Sequence, residues 1–210
     1  MTEKNLKNNK AVVAGEIISD FEFSHEVFGE GFYFVKLKVS RLSHSSDIIP
    51  LLVSERLIDV KQSHIGQLLE VKGQFRSYNK QEGNRSHLVL SLFVMELEFI
   101  DNIENRNPNT IFLDGYICKE PIYRTTPLGR KIADVLLAVN RAYGKSDYIP
   151  CICWGRNARY AGNLSVGSRI QLWGRIQSRE YQKQIGEGKV VDKVAFEVSA
   201  SQMEYIEEEE

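Results

Sequence analysis

Apolar and polar residues alternate along most of this 210-residue chain, with the period of two that is typical of β-strands. Glycine, proline and asparagine separate the alternating stretches and favour turns there. Only 54–60 and 157–161 have the composition of a short connecting helix. The pattern predicts an all-β chain, and it places five strands in the second half: 111–117, 132–139, 148–154, 169–181 and 194–201.

The two halves of the chain repeat each other at an offset close to 100 residues. The tetrapeptide Asp-Ile-Ile-Pro at 47–50 recurs as Asp-Tyr-Ile-Pro at 147–150. Three further landmarks recur at the same offset: Gly15 and Gly115, Arg41 and Arg141, Arg56 and Arg156. Five strands with one helix between the third and the fourth is the plan of an OB-fold barrel, so we expect two tandem five-stranded barrels, each with that short helix.

The repeat also predicts where the two units begin and end. The first barrel is expected over residues 1–101 and the second over 110–206. Between them, residues 102–109 are rich in asparagine and contain a proline, which indicates a short polar linker. Residues 207–210 are four glutamates and form a short acidic tail.

The charge of the chain is balanced overall but differs between the two units. The formal net charge is −1, from 27 Lys and Arg against 28 Asp and Glu. Residues 1–105 hold 12 basic and 15 acidic groups, whereas residues 106–210 hold 15 and 13. Without the tail, the second unit has 15 basic groups against 9 acidic ones. The second unit is therefore the better candidate for binding a polyanion.

Enzymatic and metal chemistry find little support in the sequence. The three cysteines are expected to be reduced thiols, and Cys151 and Cys153 to pack in a core. The four histidines, His25, His44, His64 and His87, are scattered without metal-ligand spacing. There is no phosphate loop and no nucleophile motif. We expect no enzyme, no cofactor and no metal, and, without a signal sequence or an apolar run near 20 residues, no membrane contact and a cytoplasmic location.

Four segments of the second unit resemble, in order, the bacterial single-stranded DNA-binding protein family, including its primosomal relatives. The segments are 113–117, 138–143, 147–155 and 174–181. The resemblance implies an OB-fold and binding of single-stranded DNA without sequence specificity in replication, recombination or repair. It also implies an assembly of four barrels, which this chain would reach as a homodimer.

In the resembling family, aromatic side chains stack on unpaired bases. The resemblance assigns this role to Tyr143, Tyr148, Trp154 and Tyr181. Basic residues are interleaved with these aromatics and are expected to hold phosphates: Arg124, Arg130, Arg141, Arg156, Arg159, Arg175, Arg179 and Lys183. The segment 181–193 is expected to be a flexible hairpin that closes over the strand.

Side-chain alternation leads to the same surface without the resemblance. On the third strand Tyr148, Pro150, Ile152 and Trp154 share one face, and Ile149, Cys151 and Cys153 share the other. The thiols suit the interior of a barrel, which leaves the large rings on the outside. Stacking on such rings tolerates any base sequence.

The first unit lacks these aromatics. Ser43, Ile48 and Ser54 stand where the second unit has Tyr143, Tyr148 and Trp154, and Tyr78 is expected to correspond to Tyr181. Either this barrel is a structural and assembly partner, which we favour, or it binds a strand weakly through charge and other aromatics such as Phe32 and Phe34.

Two other functions remain open at this point. The chain could be an interaction module of a primosome or replication-restart assembly that binds replication proteins and contacts nucleic acid only incidentally. The same stacking surface could also serve RNA.

Overall fold

The fold is a pair of β-barrels. The computed structural model describes residues 7–41, 43, 45–83, 85–104, 107–184 and 190–207. The first half contains β1 (Asn9–Ile17), β2 (Glu22–Val27), β3 (Glu30–Ser40), β4 (Ser46–Ser54), β5 (Leu68–Glu82) and β6 (Arg85–Phe99). The second half contains β7 (Asn109–Thr125), β8 (Lys131–Asn140), β9 (Ser146–Trp154), α1 (Gly155–Ala161), β10 (Arg169–Gln184) and β11 (Val190–Tyr205).

In each half, strand pairing closes a ring. In the second half β7 pairs with β8, β8 with β9, β9 with β11, β11 with β10, and β10 returns to β7. In the first half the ring runs in the same order: β1 pairs with β3, β3 with β4, β4 with β6, β6 with β5, and β5 returns to β1. β2 also pairs with β3, beyond the end of β1. The predicted all-β OB-fold class is confirmed, and the five predicted strands of the second half are all present.

The predicted helix is present in the second barrel and absent from the first. α1 occupies Gly155–Ala161, around the predicted 157–161. In the first barrel residues 55–62 form turns and bends, so the helix expected at 54–60 is wrong. There the Ser54 Oγ accepts the N–H of Arg56 at 3.1 Å, and the Asp59 carboxylate accepts the N–H of Lys61 at 3.0 Å. Such local side-chain bonds give the backbone an alternative to helical pairing.

The cores are aliphatic and follow the alternation of the strands. Phe75 is the largest fully buried side chain, and Cys151 and Cys153 lie in the core of the second barrel as expected. Gly15 and Gly115, two landmarks of the repeat, sit where strands cross closely. A Cβ on Gly15 would collide with the Lys38 carbonyl oxygen, and one on Gly115 with the Ala138 carbonyl oxygen.

The two barrels join edge to edge through β1 and β7, which pair antiparallel with Ala11 opposite Ile111. All eleven strands therefore belong to one continuous sheet. Backbone bonds close both ends of the joint, because the Ala14 N–H donates to the Pro108 oxygen and the Asp114 N–H donates to the Asn8 oxygen, both at 2.8 Å.

Two buried aspartates connect the barrels a second time. The Asp47 carboxylate of the first barrel accepts the backbone N–H of Ser178 at 2.7 Å. Reciprocally, the Asp147 carboxylate of the second barrel accepts the backbone N–H of Ser77 at 2.7 Å. We call these contacts the aspartate anchors. They align Ser77 with Ser178, so that Tyr78 corresponds to Arg179 and the expected match of Tyr78 with Tyr181 is wrong.

The aspartate anchors differ electrostatically. Burial opposes ionisation of Asp47, but hydrogen bonds from Arg41 and Ser178 outweigh it and lower the pKa of Asp47. Burial raises the pKa of Asp147. There Arg141 approaches only to 3.3 Å, between its Nε and the Asp147 Oδ2, and neither atom makes a hydrogen bond. The first anchor is thus a bonded ion pair and the second is an incompletely compensated charge.

Replacing each anchor by asparagine should therefore have unequal effects on stability. We expect Asp47→Asn to lower the free energy of unfolding by about 2 kcal/mol, because hydrogen bonds to charged groups contribute roughly 1.5–3 kcal/mol. Asp147→Asn should change it by less than about 1 kcal/mol, since it removes a charge that burial penalises. Urea denaturation at pH 7 measures the free energy of unfolding of both variants. Equal losses would contradict the distinction between a bonded ion pair at Asp47 and an incompletely compensated charge at Asp147.

The pH dependence of these two variants should separate as well. Asp147 is destabilising while ionised. The free energy of unfolding of the wild type should therefore rise relative to that of Asp147→Asn as the pH falls from 7 towards the unfolded aspartate pKa of about 3.9. The contribution of Asp47 is present above that pKa and is lost only as the pH falls further, through its lowered folded pKa. The advantage of the wild type over Asp47→Asn should accordingly stay constant above pH ~4 and shrink below it. The pKa directions would be contradicted if the difference from Asp47→Asn changed above pH ~4 and the difference from Asp147→Asn changed only below it.

Candidate nucleic-acid interface

The outward face of β9 carries the candidate stacking surface. Tyr148 and Trp154 on this face are exposed, whereas Ile149, Cys151 and Cys153 on the other face are buried. The two rings are six residues apart, or about 20 Å along the strand at roughly 3.3 Å per residue. We call this row the β9 platform. It is not exposed throughout, because Ile152 between the rings is buried.

Hydrogen bonds hold both platform positions. The Trp154 Nε1 donates to the Ser199 Oγ on β11 at 3.2 Å, while 36% of the residue remains exposed. The Tyr148 backbone N–H donates to the Ser77 Oγ of the first barrel at 2.7 Å. The joint between the barrels therefore also positions one of the candidate stacking residues.

Tyr143 lies in a single 3-10 turn, Ala142–Gly144, between β8 and β9. Its φ is +61°, a left-handed conformation that bulky residues rarely adopt, and the residue is 88% exposed. An exposed ring on a strained backbone gains little from packing. Tyr143 is therefore a candidate for contact with a ligand.

Tyr181 lies on the extension of β10, where it lines a cleft between the barrels together with Pro150 of β9. The cleft has a volume of about 760 Å³. Its second-barrel wall includes Pro150, Tyr181 and Phe196, and its first-barrel wall includes Phe34 and Pro50. We call it the inter-barrel cleft.

The structure divides the predicted basic residues into groups. Arg130, Arg156 and Arg159 are exposed, the last two on α1. Arg124 pairs with Asp134 at 2.7 Å, and Arg179 lies 3.9 Å from Glu197 with its guanidinium 5.8 Å from the centre of the Tyr181 ring. Arg141 and Arg175 face the joint, next to Asp147 and Asp47 respectively. Lys183 is in β10, but its side chain and residues 185–189 lie outside the described part, as does most of the predicted closing tip.

Two carboxylates lie within the same outward face. Asp134 opposes Ile152 across β8 and β9, and Glu197 accepts a hydrogen bond from the Gln177 Nε2 at 2.6 Å. A phosphate at Arg124 or Arg179 would have to compete with them. This face therefore carries both cationic and anionic side chains.

Thiol and metal chemistry are not favoured at this site. Burial raises the pKa of Cys153 to about 12 and that of Cys151 well above its usual value, so neither is a ready nucleophile. Among the described residues no cluster of His, Cys, Asp and Glu is arranged as metal ligands, and His44 is outside them. The described part also has no helix with the length and hydrophobicity that a bilayer crossing requires.

The sequence pointed to Phe32 in the first barrel but not to the aromatic cluster that contains it. In the first barrel, the rings of His25 and Phe32 stack, Phe32 stacks on Phe93, and the Arg76 guanidinium covers Phe93. These residues lie on four strands, so no local motif contains them. The signal was that the first unit has aromatics where the second has none, at Phe32 and Phe93.

Comparison with known proteins relates this chain to one family. Residues 108–206 match the model of the Single-strand binding protein family. Single-stranded DNA-binding protein 1 of Staphylococcus aureus (strain COL) is 40% identical over 93 residues, covering 41% of this chain and 56% of that protein. The Single-stranded DNA-binding protein of Clostridium tetani (strain Massachusetts / E88) is 33% identical over 106 residues, covering 47% of this chain and 70% of that protein. The chain thus spans little more than half the length of the staphylococcal relative.

A solved structure matches both barrels. The crystal structure of the wild-type single-stranded DNA binding protein from Thermus aquaticus superimposes with a TM-score of 0.72. The match covers 96% of this chain and 94% of that one, at 18% sequence identity. It shows that the fold is shared along the whole chain, including the first half.

The strain at Tyr143 leads to a stability prediction. Tyr143→Gly should raise the free energy of unfolding by up to about 1 kcal/mol, because a left-handed residue costs roughly 1–2 kcal/mol unless it is glycine, which loses more backbone entropy on folding. Thermal and urea denaturation measure the change. A fall in stability would show that the ring packs on the protein and would contradict its assignment to ligand contact.

Proposed function

The chain belongs to the single-strand binding protein family, and on that premise we propose that its second barrel binds single-stranded DNA without strong sequence preference. Bases stack on Tyr143, Tyr148, Trp154 and Tyr181, and arginines hold the phosphates. The observation that carries the proposal is the β9 platform, where Tyr148 and Trp154 present exposed rings on one face of a rigid strand.

Stacking accounts for both affinity and lack of specificity. A base stacked on an aromatic side chain contributes about 1–3 kcal/mol, and every base has a face to stack. Trp154 is suited to this because its Nε1 is bonded to Ser199, which fixes the ring while leaving part of it exposed. Three or four such contacts provide affinity without any hydrogen bond to the edge of a base.

The arginines supply the phosphate contacts. Arg130, Arg156 and Arg159 are exposed and form no ion pair within the part of the chain that the structure describes, whereas Arg124 would give up part of its pairing with Asp134. Phosphate contacts also make the affinity depend on salt, because bound counterions are released. Binding and protection of the strand require no cofactor, and the proposed role includes no chemical step.

The first barrel has a different role in this proposal. It completes the sheet, anchors the second barrel through the β1–β7 joint, and provides the surface for assembly. Two chains would then give four barrels. Such a protein would act in the cytoplasm of a bacterium, in replication, recombination or repair, with primosome proteins as further partners.

Trp154 fluorescence tests the proposal directly once Trp173 is removed as a second emitter. Trp173 packs against Phe112, with 5.0 Å between the ring centres, so Trp173→Phe is a mild change. In that background, oligo-dT should quench Trp154, and the logarithm of the association constant should fall linearly with that of salt, by about 0.7 per phosphate neutralised. A folded protein with no quenching at low salt would favour the protein-interaction alternative instead.

Substitutions in the β9 platform should weaken binding by stacking loss alone. In the same background, Tyr148→Ala should lower the affinity for oligo-dT by about 5- to 100-fold, whereas Tyr148→Phe should keep most of it. Tyr205→Ala is the matched control, since Tyr205 is equally exposed but lies at the far end of β11. Equal effects of the Tyr148 and Tyr205 substitutions to alanine would exclude the platform.

Assembly can be tested by light scattering. We expect a mass of about twice the 24.1 kDa of one chain. A monomer at micromolar concentration would remove the four-barrel assembly and leave DNA binding by a single chain.

A further inference from the structure

Two carboxylates flank the β9 platform, on the face where the second barrel is proposed to hold a polyanion. Asp134 on β8 lies opposite Ile152, which makes it a diagonal neighbour of Trp154, about 7–8 Å away. Glu197 on β11 lies two residues from Ser199, which pairs with Ile152 from the other side. Each carboxylate repels a phosphate that approaches the platform.

The fold does not require these two carboxylates. In the first barrel, Phe34 stands at the register position of Asp134, and Ser91 stands at that of Glu197. That barrel closes in the same strand order without either charge, and it also lacks the rings of the β9 platform. The two carboxylates thus occur in the barrel that carries the platform, which indicates a role in binding rather than in folding.

Asp134 is held by Arg124 of β7 in a two-point ion pair. The Arg124 Nε donates to the Asp134 Oδ2 at 2.7 Å, and the Arg124 Nη2 donates to the Asp134 Oδ1 at 3.3 Å. Solvent reaches both side chains, which are 49% and 38% exposed, so the ion pair is weak. A phosphate offers the same guanidinium an equivalent two-point contact and can displace the carboxylate.

Glu197 is bound differently. Its side chain is only 11% exposed, and its Oε1 accepts a hydrogen bond from the Gln177 Nε2 at 2.6 Å. The Arg179 Nε lies 3.9 Å from the same oxygen, beyond hydrogen-bond distance. Gln177 therefore fixes this carboxylate, and Arg179 can turn to a phosphate without breaking a hydrogen bond to it. Of the two carboxylates, Asp134 is the one that must release an arginine.

We propose that Asp134 is an affinity-setting residue of the second barrel, which holds Arg124 in the free protein and competes with a strand phosphate for the same guanidinium. Binding exchanges the carboxylate for the phosphate, and dissociation of the strand restores the ion pair. The inference rests on the proposed function of the second barrel. It makes the affinity a balance between stacking on the platform and a competing anion that belongs to the chain itself.

The exchange has a consequence for salt dependence. A free arginine that neutralises a phosphate releases the condensed cation, which contributes about 0.7 to the salt slope for a single strand. Arg124 releases no net cation in the exchange, because the carboxylate that it leaves attracts one. Substitution of Asp134 by a neutral residue removes this compensation and should make the slope steeper.

The test measures binding of oligo-dT by Trp154 quenching in the Trp173→Phe background. Asp134→Asn keeps the size of the side chain and removes both competition and repulsion, so it should raise the affinity by about three- to tenfold and steepen the salt slope by about 0.7. Glu204→Gln is the matched control, because it removes an exposed carboxylate at the far end of β11. It should leave the affinity within about twofold and the slope unchanged.

A double-variant comparison separates competition from simple repulsion. Arg124→Gln removes the guanidinium for which the two anions compete, so Asp134→Asn in that background should gain only from the loss of repulsion. We expect this gain to be about two- to fivefold smaller than the gain in the presence of Arg124, which is the range for an exposed ion pair.

The outcomes distinguish this inference from the proposed function. Equal gains with and without Arg124 would show that Asp134 acts by its charge alone and would overturn the competition. An affinity or a salt slope that Asp134→Asn leaves unchanged would overturn it too, while quenching by oligo-dT in the presence of Asp134 would leave the proposed function intact. Failure of the folded protein with Asp134 to bind oligo-dT at low salt would refute the proposed function itself.

Discussion

The relative orientation of the two barrels is the constraint on which the rest of the structure depends. The β1–β7 pairing merges them into one sheet, and the reciprocal bonds of Asp47 to Ser178 and of Asp147 to Ser77 connect them again at a distance from that pairing. Two separate connections prevent the barrels from rotating about either one. The two barrels are therefore held in a fixed relative orientation rather than joined by a flexible linker alone.

The fixed orientation of the barrels also positions the candidate interface. Ser77 binds Asp147 through its N–H and the Tyr148 backbone through its hydroxyl, so the first barrel fixes the start of the β9 platform. The same orientation forms the inter-barrel cleft between Tyr181 and Phe34.

Most of the second barrel could be predicted from the sequence, because period-two alternation and the repeat specify strands and their inward faces. The helix at 54–60 failed because Ser54 and Asp59 form local turns, which composition does not reveal. The positions of Arg141 and Arg175 at the joint, and the aromatic cluster from His25 to Arg76, depend on contacts between distant strands. Alignment by offset compares like positions and therefore does not predict that Phe32 contacts Phe93 of another strand.

Ultraviolet crosslinking of the wild-type protein to oligo-dT, followed by mass spectrometry of the peptides, would show which side chains lie against the bases. Crosslinks are expected at Tyr148 and Trp154 on β9, with Tyr143 and Tyr181 at the flanks. Crosslinks confined to Phe112 and Trp173, which pair across β7 and β10, would contradict the assignment of the β9 platform.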